Sequence, residues 1–252
     1  MTPASCAAWS AIAICTMSGR ASAGVIEPWL LEVEGQKLTT VNFIRLDARQ
    51  RVWISVSTRK LPRELAFQRA VADGYIVLAD ANGARVVADG LAFANEVILD
   101  PDGRWLYVNE TIGRRLTRFE LGLDGALKRR ETVTVFSDGV FPDGLAFDAE
   151  GGLWITSVVS NRVLRLGTDG RLTTLLDDSD PDAIGEVEAA FSADRFGRRE
   201  IDVGGRRPLG NISSLAFGGP DLRTVYLGST HGERLAMFRA PVRGQEPVHW
   251  KY

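Results

Sequence analysis

The stretch Asp143-Gly-Leu-Ala-Phe-Asp148-Ala-Glu-Gly-Gly152-Leu-Trp-Ile-Thr156 decides the fold. It reads as a strand over 144–147, a tight turn opened by Asp148 and closed by Gly151 and Gly152, and a second strand carrying an aromatic. Asp and Gly punctuate two apolar, β-prone runs, which is what a hairpin requires. Arg162-Val-Leu-Arg-Leu166, the turn Thr168-Asp-Gly170 and Arg171-Leu-Thr-Thr-Leu175 add two more strands. The unit is a four-stranded antiparallel meander.

The same order recurs on both sides of this stretch. Residues 95–136 contain Leu106-Tyr-Val108, Leu116-Thr-Arg-Phe119 and the turn Asp124-Gly125. A third copy starts at Asn42, with Val52-Trp-Ile-Ser55, then Tyr75-Ile-Val-Leu78 and Arg85-Val-Val87 around the hairpin signal Asn82-Gly83. A fourth holds Leu215-Ala-Phe217, Thr224-Val-Tyr-Leu227 and Leu235-Ala-Met-Phe238. The turn aspartates Asp47, Asp100 and Asp148 are spaced by 53 and 48 residues. A period near fifty with four strands per unit predicts an all-β protein, a β-propeller of four-stranded antiparallel blades. The fixed order of unlike turns argues against a sandwich. At about fifty residues per blade, the chain after residue 24 supplies fewer than five blades, so a ring of the six-bladed type would be incomplete.

One insertion interrupts the repeats. Ile184, Val187 and Phe191 share a helical face, with Ser179 or Asp180 as N-cap and Pro181 in the first turn, which predicts one short helix near 181–195. The acid cluster before it is no calcium loop: starting at Asp178 puts Ala183 where Gly is needed and Ala189 where the bidentate Glu belongs.

Composition sets limits. The chain has 252 residues, 45% apolar and 25% charged, enough for one good core. A net charge of -2 with interleaved signs leaves no footprint for nucleic acid or an anionic membrane surface. No apolar run reaches the roughly 18 residues of a membrane span. Both cysteines, Cys6 and Cys15, lie in the first fifteen residues, so the remainder has no thiol for a disulfide, a zinc cluster or a nucleophile. Residues 1–24 admit two readings. Ala21-Ser-Ala23 after an apolar stretch suits a cleaved leader and export; the lack of Lys or Arg in 1–5 suits a degraded first blade in a cytoplasmic protein. Residues 25–252 form a single propeller domain.

Asn42, Asn95 and Asp143 stand at the start of the three clearest units, five positions before each turn aspartate. In an antiparallel hairpin the start of the first strand and the end of the second share an end. All three therefore face one mouth of the ring, with Thr58-Arg59, Asn109-Glu110-Thr111, residues 157–161 and Thr230-His231 on its rim. Such oxygens suit calcium, magnesium or manganese, and can also hold zinc. A cation there would polarise an ester or lactone carbonyl while Asp143 takes the proton of water. One carboxylate is thin for a divalent ion, so a second acid is expected. The competing reading is that the three cap loops by bonding backbone amides. The turn aspartates are assigned local roles, and Trp53, Tyr107 and Trp154 inter-blade packing. His231 is a candidate general acid or base; His249 is incidental. Neither a G-x-S-x-G elbow nor a phosphate-binding loop is present.

At these residues the chain resembles the senescence marker protein, gluconolactonase and luciferin-regenerating enzyme family, regucalcin-like six-bladed propellers. Phe141-Pro-Asp-Gly-Leu-Ala-Phe-Asp-Ala-Glu-Gly-Gly-Leu-Trp154 carries the resemblance, with support from Asn95, Asp100-Pro-Asp-Gly103 and Tyr107, from Asn42, Asp47 and Trp53, and from Ser213-Ser-Leu-Ala-Phe-Gly-Gly219. The resemblance implies a metal-dependent hydrolase opening a small-molecule lactone or related ester. Asn95 and Asp143 would be metal ligands, Asp143 also the base, and Asn42 a metal or substrate contact. The family's remaining ligand is an early Glu. Glu27-Pro28-Trp29 echoes its segment but lies only fifteen residues before Asn42. Glu96 stands where the family usually has Gly, and Thr40 where sugar-lactone enzymes can carry a substrate Arg. Asn109-Glu-Thr111 with Arg114 and Arg118 also resembles strictosidine synthase-like propellers, which would make Glu110 the base or a substrate contact. A non-catalytic metal- or ligand-binding propeller is the third reading.

Overall fold

The computed structural model describes residues 11–14, 17–22 and 25–248, with side chains from residue 28. Cys6, Cys15 and His249 lie outside the described residues. Five antiparallel sheets follow one another along the chain. Blade I contains β1 (Ala11–Ile14), β2 (Met17–Ser22) and β3 (Val25–Leu30). A small hairpin, β4 (Glu32–Val33) and β5 (Gln36–Lys37), leads to blade II: β6 (Val41–Leu46), β7 (Val52–Val56), β8 (Gly74–Asp80) and β9 (Gly83–Leu91). Blade III is β10 (Ala94–Leu99), β11 (Trp105–Glu110), β12 (Arg115–Leu121) and β13 (Leu127–Val135). Blade IV is β14 (Val140–Phe147), β15 (Leu153–Val159), β16 (Arg162–Leu166) and β17 (Leu172–Asp177). After α1 (Pro181–Ser192) and α2 (Arg198–Ile201), blade V holds β18 (Ile212–Gly218), β19 (Thr224–Ser229) and β20 (Ala236–Arg239).

The first strands pack in sequence: β1 on β6, β6 on β10, β10 on β14 and β14 on β18. This is the arrangement of a propeller, whose inner strands line the axis. The count of fewer than five blades after residue 24 leaves out blade I, two of whose three strands lie in the first 24 residues; blade V likewise has three strands. The proposed boundary at residue 24 is itself outside the described residues, and the strands flanking it pair directly, with Ser22 opposite Val25.

The turn aspartates reach further than a local role. Asp148 Oδ1 accepts from Glu150 N (2.9 Å) and Gly152 N (2.8 Å), closing the turn, while Oδ2 accepts from Trp154 Nε1 (2.8 Å) and Arg165 Nε (2.7 Å). Asp47 repeats this with Arg49 N, Arg51 N, Trp53 Nε1 (3.0 Å) and Arg51 Nε (2.7 Å). Trp53 and Trp154 are fully buried, so each indole N–H needs an acceptor inside the protein, and the turn supplies it. In blade III Tyr107 replaces Trp, and among the described residues Asp100 Oδ1 receives only the backbone amides of Arg104 and Trp105.

These aromatics also join the blades, as expected from the sequence. Trp154 meets Phe217 of blade V edge-on at 5.0 Å, and Tyr107 meets Phe147 of blade IV at 5.6 Å. Trp53 packs with Val97 and Leu106 of blade III.

The helix predicted near 181–195 is α1. Asp180 is its N-cap, accepting from Asp182 N (3.1 Å) and Ala183 N (3.2 Å), and Pro181 occupies the first turn. Its apolar face buries Val187, Ala190 and Phe191, with Val187 and Phe191 against Phe93, Phe141 and Val158 at the loop end of the blades. It stops at Ser192, and Asp194 then turns into the left-handed region at φ 51°. The second short helix, α2, had no periodic signal to announce it.

Replacing Asp148 by Ala strands a buried indole N–H and an arginine; it is expected to cost about 2–4 kcal/mol in urea unfolding, against about 1 kcal/mol for Asp100→Ala. Burial alone would raise the Asp148 carboxyl, but Arg165, Trp154 and the Gly152 amide hold it below the ordinary range. Its contribution is thus complete above about pH 4 and is lost as pH falls through the lowered folded value. Asp148→Asn should flatten the acid limb of a stability–pH curve.

Candidate active site on the propeller axis

Every inner strand of blades II to V slips register where the site residue sits: between Val41 and Phe43, Ala94 and Val97, Pro142 and Leu145, and Ile212 and Ser214. A bulge adds a residue and re-aims side chains. Asn42, Asn95 and Asp143 all occupy such bulges, with Ser213 at the corresponding place in blade V. The residue after Asp143 must be small. A Cβ on Gly144 would lie 2.7 Å from Ser214 Cα and 2.9 Å from the Ser213 carbonyl oxygen. In blade III the same place holds Glu96.

Hydroxyls on the neighbouring strand ends orient the two amides. Asn42 Nδ2 donates to Ser57 Oγ (2.8 Å), and Asn95 Nδ2 donates to Thr111 Oγ1 (3.0 Å). Thr111 spends its own proton on the Pro142 carbonyl (2.8 Å), so only a lone pair remains for Asn95. The nitrogen is thereby assigned and Asn95 Oδ1 faces the other way. That oxygen is buried and has no hydrogen-bond partner. Asn109 Nδ2 donates to the Asp143 carbonyl (2.9 Å) and holds its backbone in place. The expectation that these residues cap loops through their oxygens does not describe Asn95, whose oxygen is left over.

Asp143 and Asn42 are half-buried, whereas Asn95 and Glu96 are 5% and 7% exposed. Burial pushes the Asp143 carboxyl up to about 7, although Arg63 and the Asn95 amide favour its charged form. Glu96 goes higher, to about 8: burial dominates, the Leu145 amide opposes it (N to Oε2 2.9 Å), Asp143 repels it and Arg45 attracts it. Burial pulls the Arg45 guanidinium down, while Glu96 pulls it up. The centre therefore contains two acids in mutual repulsion, incompletely answered by two arginines. Glu96 is a second buried acid beside Asp143, which the sequence reading noted only as standing where the family usually has Gly; its signal was its position beside Asn95 in the bulge. Arg45 and Arg63 gave no comparable signal.

The rest of the predicted constellation is divided. Glu110 is fully buried and committed: Oε1 accepts from Arg115 Nε (2.8 Å), Thr117 Oγ1 (2.6 Å) and Arg130 Nη2 (3.0 Å), and Oε2 from Arg115 Nη2 (2.5 Å) and Ala92 N (2.7 Å). Burial would raise it, but these donors hold it below the ordinary range. A carboxylate so saturated is no base and has no lone pair for a substrate, which corrects the reading built on Glu110. His231 lies beside Asp202, Nε2 to Oδ1 3.2 Å, and its amide donates to the Gly210 carbonyl (2.9 Å), which among the described residues joins it to the insertion rather than to Asn95 or Asp143. Ser157, Ser160 and Asn161, expected on the rim, are fully buried; Asn161 Oδ1 accepts from Ile212 N (2.9 Å) while Asn211 Oδ1 accepts from Val159 N (2.7 Å), clasping blade IV to blade V.

Successive four-stranded blades around an oxygen-lined axial centre define a β-propeller of the kind whose site is built from inner-strand residues. The chain belongs to the SMP-30/gluconolactonase/LRE-like family, whose model matches residues 6–177. It is 32% identical over 166 residues to 6-deoxy-6-sulfogluconolactonase of Pseudomonas putida, covering 65% of this chain and 47% of that protein. It is 28% identical over 198 residues to a pentonolactonase of Haloferax volcanii, covering 67% and 64% of the two chains. The chain thus spans about half to two thirds of these relatives. A gluconolactonase from Xanthomonas campestris superposes with a TM-score of 0.63 at 21% identity, covering 89% of this chain and 65% of that one. The calcium-binding protein regucalcin from Agrobacterium tumefaciens superposes with a TM-score of 0.62 at 18% identity, covering 95% and 79%.

Glu96 is neutral in the folded state across a range where the unfolded chain ionises it. Stability from this group is complete below about pH 4.5 and declines as pH rises toward 8. Thermal unfolding in metal-free buffer should show falling midpoints between those limits, and Glu96→Gln should reduce the slope.

Proposed function

We propose that this protein hydrolyses a lactone or related ester, using a divalent cation held at the mouth of the axial channel by Asn95 Oδ1 and Asp143. The observation that carries the reading is the Asn95 oxygen, buried without a partner beside a carboxylate that burial has pushed up. An orphaned acceptor of this kind is costly, and a cation relieves it.

The residues present fit a hard cation. Their donors are oxygens only, from an amide and carboxylates, as calcium, magnesium and manganese prefer and zinc tolerates. Glu96 is a second acid that would supply negative charge on giving up its proton to a bound cation, and Asn42 a further amide on the next inner strand. Among the described residues there is no cluster of three or more His, Cys, Asp or Glu, so amide oxygens would have to complete the shell.

When bound, the cation would polarise the lactone carbonyl and make water a stronger nucleophile at neutral pH. Asp143 takes the proton from the attacking water. As the bond between the acyl carbon and the ring oxygen breaks, the departing oxygen needs one proton, and the one carried by Asp143 balances it. The product is a hydroxy acid. Asn42, fixed by Ser57, orients the substrate hydroxyls near the ring. The lactonase names of the relatives support this reaction class, and the oxygen donors of this chain support the cation.

Calorimetric titration of chelator-stripped protein with calcium and manganese should show one site, weakened at least tenfold in Asp143→Asn and Asn95→Ala. Turnover of D-glucono-1,5-lactone should fall about 100-fold or more in Asp143→Asn. Bound cation without turnover of any lactone would make the protein a binder. Hydrolysis indifferent to chelation and to Asp143→Asn would sink the reading.

A further inference from the structure

The loop between β7 and β8 runs past the mouth and is held at several points. Thr58 Oγ1 donates to Asp73 Oδ1 (2.5 Å) and Arg59 to the Asp73 carbonyl (2.5 Å) at its base. Its 3-10 turn, Arg63–Ala66, is anchored by Ala66 and Phe67, both buried. Phe67 meets Phe93 at 5.2 Å and Phe196 at 6.0 Å, and Phe196 stacks on Phe141 at 4.8 Å. Phe93 and Phe141 each lie two residues before a site residue, Asn95 and Asp143. The turn is therefore packed onto the segments that carry the site.

Three arginines sit on this loop. Arg59 is paired bidentately with Asp89 (2.9 and 2.8 Å) and stacked over Tyr75 at 4.3 Å. Arg69 is paired with Asp194 (2.9 Å). Arg63 is half-buried, yet among the described residues it has no salt bridge within 4 Å, hydrogen bond or aromatic platform. Its charge favours the ionised form of the Asp143 carboxyl. A planar fork of five donors thus lies within electrostatic reach of Asp143 with its hydrogen-bonding geometry unused among the described residues, and carboxylates or sulfonates fit such a fork bidentately.

We infer that Arg63 is a specificity-determining residue that binds an acidic substituent on the substrate, so that the preferred lactones carry a carboxylate or sulfonate outside the ring. This rests on the lactone-hydrolase reading above. Leu61 and Leu65 flank this turn at 59% and 55% exposure, and Lys60 and Glu64 share the edge with the Arg63 guanidinium.

The test compares D-glucono-1,5-lactone, which is neutral, with D-glucaro-1,4-lactone, which carries a carboxylate. Arg63→Ala should lower the ratio of kcat/KM for the acidic over the neutral lactone by about 10- to 100-fold, the worth of a charge-assisted pair. Arg63→Lys should recover part of it. An unchanged ratio in Arg63→Ala overturns the inference, even if both rates fall. If the wild type hydrolyses neither lactone, the hydrolase reading fails by itself, and calorimetry with glucarate and gluconate decides the role of Arg63. Tighter glucarate binding that disappears in Arg63→Ala supports it, and equal or absent binding of both overturns it. Arg63→Lys and the far-ultraviolet circular dichroism of each variant separate misfolding from lost recognition.

Discussion

The hydrogen bond from a buried indole to a turn carboxylate is the interaction on which the rest of this molecule depends. In blades II and IV one aspartate both closes the first hairpin and receives the indole N–H of the next strand (3.0 and 2.8 Å). It thereby ties strand register to the inter-blade core. Register has a period of two in a strand, so a one-residue slip would turn every side chain to the opposite face. Five residues upstream of each turn aspartate lies a site residue, and its direction is set from below by that closure.

The site uses a second device, the bulge, to turn those residues toward the axis. Secondary hydroxyls then remove the rotational choice of the amides. The result is an arrangement in which favourable donors are spent on the nitrogen side and the oxygens are left to the channel. Burial does the remainder: two carboxylates that would be ionised in water are pushed up to about 7 and about 8. Strained polarity of this kind, concentrated at one end of a well-packed fold, is a familiar mark of a functional centre.

Much of this was legible in the residues. The recurrence of Asp, Gly and an aromatic strand at a spacing near fifty gave the blades, and the position of Asn95 and Asp143 before the turn gave the face they share. Asp180 and Pro181 marked the start of α1. What escaped depends on three-dimensional neighbours. Glu96 lies within β10 beside Val97 and reads like any strand acid until its burial is known. Glu110 looked available because its partners Arg115, Thr117 and Arg130 come from adjacent strands of the same blade. Arg63 sits in a loop whose course no periodicity describes. Blade I stayed open between a cleaved leader and a degraded first blade because its strands are weakly patterned.

Each oxygen at the centre is anchored within its own blade, Asn42 through Ser57 on blade II and Asn95 through Thr111 on blade III. The separation between them is therefore not a property of any loop but of how closely one blade leans on the next. The contacts that set that lean, Trp53 of blade II on Val97 and Leu106 of blade III, lie in the inter-blade core. They act as the spacers of a calliper. The size of ion or substrate that the centre grips is written in hydrophobic side chains that never touch it.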